Sequence, residues 1–129
     1  MASLFTKIVN REIPAHIVAE NDDCLAFLDI MPITYGHVLV IPKKEIDYIF
    51  DIDDELLAKL MSFSKQVAKK IKKAYPCKKV GIAVVGLEVP HTHIHLLPLN
   101  EVSDMDFKKP KLKLSDDELA EIARNIREA

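Results

Sequence analysis

His91-Thr92-His93-Ile94-His95-Leu96-Leu97 decides both the fold and the chemistry of this chain. Successive side chains on a β-strand point to opposite faces. The alternation therefore predicts a strand over about residues 92–98, with His91, His93 and His95 on one face and Thr92, Ile94 and Leu96 on the other. The chain has five histidines, so this face concentrates its near-neutral proton donors, acceptors and nucleophiles. Burying three imidazoles without purpose would demand partners for all their ring nitrogens.

Outward from this strand, the pattern alternates short apolar runs with two helical stretches. Residues 80–87 read as a strand covered on both faces. Residues 16–20 and 24–29 read as strands around the turn Asn21-Asp22-Asp23, and residues 37–41 as a strand between Gly36 and Pro42. Residues 4–9 are weakly helical until Ile13-Pro14 ends that element. A long helix is predicted from about Asp53 to Tyr75, with Leu56, Leu57, Leu60, Met61, Val67, Ala68 and Ile71 as its buried stripe. Asp53 caps it, and Pro76 stops it. Ser115-x-x-Glu118 is a capping box opening a last helix, buried along Leu119, Ile122, Ala123 and Ile126. Short connections between strands favour an antiparallel sheet, so the fold class is α+β, a five-stranded antiparallel sheet with a long helix and a C-terminal helix.

The 129 residues suit a single domain, 1–129, with a real core. A net charge of −2 gives no bulk attraction to nucleic acid. Lys65, Lys69, Lys70, Lys72, Lys73, Lys78 and Lys79 lack interleaved aromatics and read as a solvated face. No apolar run reaches the length of a membrane span, and residues 1–7 lack the apolar stretch of a secretion signal. Cys24 and Cys77 have no metal-type spacing and are expected to be reduced, Cys24 packed in a strand, in a cytoplasmic protein. His16 is expected to be an ordinary surface or hydrogen-bonded histidine.

Two chemistries suit the histidine strand. Zinc can take two histidines at i and i+2, but on a straight strand His91 and His95 lie about 13 Å apart at ~3.3 Å per residue. A metal would need a further ligand, for which Glu88 is the nearest acid. Phosphoryl chemistry fits better: a neutral imidazole is a good nucleophile at physiological pH, and its neighbours can donate to phosphate oxygens.

The motif resembles the signature of the histidine triad (HIT) superfamily, His-φ-His-φ-His-φ-φ with φ apolar, Thr92 being a mild departure. The resemblance extends to residues 5–15, to Cys24-Leu25-Ala26-Phe27-Leu28-Asp29-Ile30 and to Gly36-His37-Val38-Leu39-Val40-Ile41-Pro42-Lys43-Lys44. It covers roughly residues 4–99 and points to the Hint-like branch. It implies a nucleotide hydrolase or transferase acting at the α-phosphate of a nucleoside phosphoramidate or related conjugate. His93 would be the nucleophile, His95 and His37 would orient the phosphate, and His91 would set the nucleophile's geometry. Asp29 would hold the ribose, and Phe5, Ile8, Phe27, Ile30 and Leu39 would wall a purine base. It also implies a homodimer and no cofactor or catalytic metal. A dinucleoside polyphosphate hydrolase and a nucleotide-binding signalling module with little turnover are the alternatives.

Two departures matter. The family usually carries Gly-Gln-Ser/Thr shortly before the triad; here the aligned run is Gly86-Leu87-Glu88. Glu88 would stand on the leaving-group side and repel additional phosphates, which favours neutral or amine leaving groups. Some members hold structural zinc where this chain has Ser3, Thr6 and Glu45, so no structural zinc is expected.

Overall fold

The computed structural model describes residues 2–129. In chain order its regular elements are helix α1 (Leu4–Val9), strands β1 (Ile17–Glu20), β2 (Cys24–Leu28) and β3 (Val38–Pro42), helix α2 (Asp54–Ala74), strands β4 (Lys79–Ala83) and β5 (Ile94–Leu99), and helix α3 (Asp116–Arg127). Two short 3-10 turns interrupt the connections. The strands form one five-stranded sheet in the order β1-β2-β3-β5-β4, with every neighbouring pair antiparallel. This is the expected α+β architecture.

Local chemistry explains most boundaries. Asn21 Oδ1 accepts the Asp23 and Cys24 N–H groups and closes the β1–β2 turn. Asp53 Oδ1 accepts the Leu56 N–H at 2.8 Å and starts α2. Both halves of the Ser115–Glu118 capping box are made. Gly36 has φ +84°, and a Cβ there would come within 3.2 Å of Pro98 Cγ, so a glycine is what lets the chain turn into β3.

One face of the sheet carries Cys24, Ala26, Leu28, Val38, Val40, Ile94 and Leu96, packed under α2 and α3. On α2 the buried positions are Leu60, Phe63, Ser64, Val67 and Ile71. Met61, expected in this stripe, is 43% exposed. It lies one residue off the line that Leu60, Val67 and Ile71 define, and Phe63 takes the inward position. All four residues expected to face inward from α3 are buried. The opposite face carries Leu25, Phe27, Leu39 and Ile41 beneath Phe5 and Ile8 of the short α1.

Two strand expectations need correction. The strand over residues 80–87 ends at Ala83, and as the last strand of the sheet it is not covered on both sides: Ile82, Val84, Val85 and Leu87 are exposed. An apolar run reveals strand tendency but not whether another strand pairs beyond it. The histidine strand begins only at Ile94. Thr92 gives both its N–H and its hydroxyl to the Ile46 carbonyl, which pulls residues 91–93 out of the ladder and onto the chain before α2.

Candidate active site

His95 is on β5, opposite Leu39 of β3, and so faces the α1 side of the sheet. His93 precedes the strand; its ring centroid is 5.2 Å from that of His95. Phe5 from α1 meets His93 edge-on at 5.0 Å, His91 at 6.0 Å and Phe27 at 5.4 Å. His37, just before β3, is tilted against His95 with centroids 5.2 Å apart. The chain therefore gathers four imidazoles, all buried.

They do not form the straight row the strand reading implied. His91 is turned away from the other rings. Its Nε2–H donates to the Pro42 carbonyl at 2.8 Å, and its Nδ1 meets the Ser3 hydroxyl at 2.9 Å. The alternation does survive on the other side: Thr92 bonds to the chain before α2, while Ile94 and Leu96 enter the main core.

The hydrogen bonds assign a proton to each ring. His93 Nδ1–H donates to the His91 carbonyl at 2.7 Å, so the Nε2 lone pair is free. The Ile33 N–H donates to His37 Nδ1 at 3.2 Å, so the His37 proton sits on Nε2 and is given to His95 Nδ1 at 2.9 Å. That places the His95 proton on Nε2. Among the described residues, neither His93 Nε2 nor His95 Nε2 has a hydrogen-bond partner. The site thus presents a lone pair beside an N–H donor, a pairing that suits attack on a phosphorus whose oxygens need a donor.

The electrostatics favour the neutral forms of His37, His91 and His95. Burial, aided by the charges of His95 and Lys111, pushes His37 down to about 3. Burial, His93 and Lys111 push His95 down to about 4. Burial lowers His91 as well, against the opposing pull of the Pro42 carbonyl. Asp29 is raised, mainly by burial, although the Met31 N–H bonded to its Oδ1 favours the charged form.

Phe5, Ile8, Phe27 and Leu39 come together as a small apolar cluster beside the imidazoles. Asp29 adjoins them, its Oδ2 3.6 Å from His37 Nε2. Ile30, expected to wall the base, is 63% exposed and stands at the rim rather than within the cluster. Glu88 is exposed, although its charge reaches Asp29. Asp29, His37 and His95 have donor atoms within 4.8 Å of one another, a spacing an ion could use. The hydrogen bonds oppose it. With Ile33 N–H aimed at Nδ1, His37 carries its proton on Nε2, the nitrogen that would have to bind.

A HIT domain model matches residues 10–102 of the chain. The chain belongs to the HIT family. An uncharacterised HIT-like protein of Borreliella burgdorferi is 34% identical over 95% of this chain and 94% of its own length. Adenosine 5'-monophosphoramidase HNT1 of Saccharomyces cerevisiae is also 34% identical, over 97% of this chain and 80% of its own length. The crystal structure of a HIT-like protein from Bartonella henselae superimposes with a TM-score of 0.85 at 33% identity, covering 98% of this chain and 95% of that one.

Two features around the imidazoles go beyond what the sequence indicated. Ser3, Thr6 and Glu45 form a hydrogen-bonded cluster around His91. The Thr6 N–H donates to Ser3 Oγ at 3.0 Å, and the Thr6 hydroxyl donates to Glu45 Oε1 at 2.6 Å. Glu45 also accepts the Ser3 N–H, and these donors, the Thr6 hydroxyl foremost, hold its carboxyl down at about 2. The second feature follows β5. Phe107 stacks edge-on against His95 at 4.8 Å and His37 at 6.3 Å. Lys111 lies 5.8 Å from the Phe107 ring centre and donates to the Phe107 carbonyl at 3.2 Å. For the first, the family resemblance groups Ser3, Thr6 and Glu45 as the places of a zinc site, without the bonds that tie them to His91; for the second, the signal was composition, an aromatic among lysines.

Proposed function

We propose that this HIT protein is a nucleotide hydrolase or nucleotidyl transferase that cleaves at the α-phosphate of a purine nucleoside phosphoramidate or related conjugate. The observation that carries the reading is the 2.7 Å bond from His93 Nδ1–H to the His91 carbonyl, which leaves Nε2 as a bare nucleophile beside the His95 N–H. Two yeast relatives named adenosine 5'-monophosphoramidase, 34% and 33% identical, support the substrate class.

In this reading His93 Nε2 bonds to the α-phosphorus as the bond to the leaving nitrogen breaks, that nitrogen taking a proton from solvent and departing as the neutral amine. The Nδ1–H stays in place against the His91 carbonyl, which steadies the positive charge of the nucleotidyl-imidazole. Water then adds to phosphorus, releasing a proton to solvent, and the P–N bond to the ring breaks so that His93 departs as neutral imidazole. His95 Nε2–H donates to a phosphoryl oxygen, and His37 holds His95 in the required tautomer. Asp29 takes the ribose hydroxyls, and Phe5, Ile8, Phe27 and Leu39 hold the base, with Ile30 at the rim. No metal or cofactor has a step.

A homodimer in the cytoplasm completes the proposal. Strand β4 leaves an edge unpaired, with Ile82, Val84 and Val85 exposed on and beside it, and a second copy can pair there. Binding with little turnover is the second reading, favoured by Leu87 at 89% exposure and exposed Glu88 standing where the family resemblance implies a polar pair. Mass spectrometry of the protein quenched during turnover of adenosine 5'-phosphoramidate decides between them. A covalent adenylyl adduct on His93 is expected; binding without an adduct or product would favour the second reading.

A further inference from the structure

The proposed chemistry brings an anion in among three imidazoles that carry no charge. His37, His91 and His95 are buried and bonded as neutral imidazoles. Asp29 lies against His37, and Glu45 reaches His91 through Ser3 and Thr6; both add negative charge rather than removing it. The segment before the triad contributes another acid, Glu88. A phosphate in such surroundings needs a cation from elsewhere, because transferring it concentrates negative charge on its oxygens.

The segment after β5 brings one. It crosses from the sheet back over the site, where the Leu112 N–H donates to the Pro32 carbonyl at 2.8 Å, three residues beyond Asp29. Phe107 rests against His95, and the Lys111 ammonium sits over Phe107. Lys111 is half-buried, and no carboxylate lies within salt-bridge distance of it among the described residues, whereas Lys109 is paired with Asp104. Its charge already reaches Asp29, His37 and His95. What holds its Nζ now is a single carbonyl, that of Phe107, and a phosphoryl oxygen is a stronger acceptor for an ammonium than a neutral carbonyl.

Resting on the hydrolase reading above, we propose that Lys111, mounted on Phe107, is the phosphate-binding cation of this site and sets its preference for nucleotides over nucleosides. The lysine swings from the Phe107 carbonyl to a phosphoryl oxygen when the substrate's phosphate lies between His93 and His95.

Calorimetric titration with adenosine 5'-monophosphate and with adenosine isolates the phosphate contribution, since the two ligands share everything else. Lys111→Gln is expected to weaken the monophosphate about tenfold, to leave adenosine within about twofold, and to recover most of the loss as Lys111→Arg. Lys113→Gln, which removes the same charge from an exposed neighbour, is expected to do neither. A second measurement uses the unaltered chain: raising salt should weaken the monophosphate and spare adenosine. Monophosphate affinity unchanged in Lys111→Gln, or lost equally in Lys113→Gln, overturns the assignment, as does a wild-type chain that binds the two ligands equally. If wild type forms the His93 adduct and Lys111→Gln forms it at the same rate and affinity, the hydrolase reading stands and this inference falls. If Lys111 governs monophosphate binding but no adduct forms, the reverse holds.

Discussion

Ile94 and His95 are neighbours on β5 and both are buried, at 0% and 8% exposure, yet they enter opposite worlds. Ile94 joins an apolar core roofed by the long α2 and by α3, among Val40, Val67 and Leu96. His95 enters a thinner layer covered by a six-residue helix and a crossing segment, where its neighbours are His37, His93 and Phe107. The first face holds the molecule together. The second uses the rigidity of the first to aim ring nitrogens, and burial there sets their protonation.

The comparison breaks most visibly at His93. His93→Ala should lower turnover by roughly 10⁴-fold or more while nucleotide affinity and melting temperature stay close to wild type, because only the covalent step needs that nitrogen. Steady-state rates beside calorimetric binding measure it; a comparable loss of stability would mean the two faces are not separable. On the other face, Ile71→Ala should cost about 2–5 kcal/mol in denaturant unfolding with little change in kcat under native conditions. His37→Ala should slow turnover by about a hundredfold, less than His93→Ala, since His95 loses the donor that sets its tautomer but keeps its place on β5.

Acid sharpens the contrast. Folded, His37 and His95 protonate only near about 3 and about 4, whereas free histidines titrate near 6.5. Between those values the unfolded chain binds more protons, so stability should fall as pH drops from about 6.5 toward 4, by at most about 1.4 kcal/mol per pH unit for each ring. The lowered His91 acts in the same sense, and the raised Asp29 opposes it. Melting curves across that range test this, and His37→Asn should flatten the slope. The smallest effect belongs to Ser3→Ala, which removes the hydroxyl partner of His91 but leaves its bond to Pro42. A roughly threefold slower adduct formation is expected, with the ¹⁵N signals of the His91 ring shifted as its Nδ1 loses a donor. Unchanged signals would deny Ser3 any part in positioning the triad.

Much of the fold was legible because its signals are local. Asp53, Ser115 and Glu118 cap helices through bonds spanning three residues, and Asn21 closes its turn the same way. Leu119, Ile122, Ala123 and Ile126 repeat at the helical period that one buried face imposes. The limits appear where local rules meet a neighbour. Val84, Val85 and Leu87 look like strand interior, but the sheet ends with β4, and the chain leaves it after Ala83.

The residues alone determined that His93 and His95 would share a side while Ile94 and Leu96 took the other, since side-chain direction follows from backbone period. Only tertiary structure decided which nitrogen of each ring carries the proton, and that Nε2 of His93 is bare. That depends on Ile33, Pro42 and the His91 carbonyl, and on a Ser3 hydroxyl 88 residues distant in sequence from the ring it meets. Hydrogen bonds act over about 3 Å whatever the separation along the chain, so no periodicity or spacing could announce them.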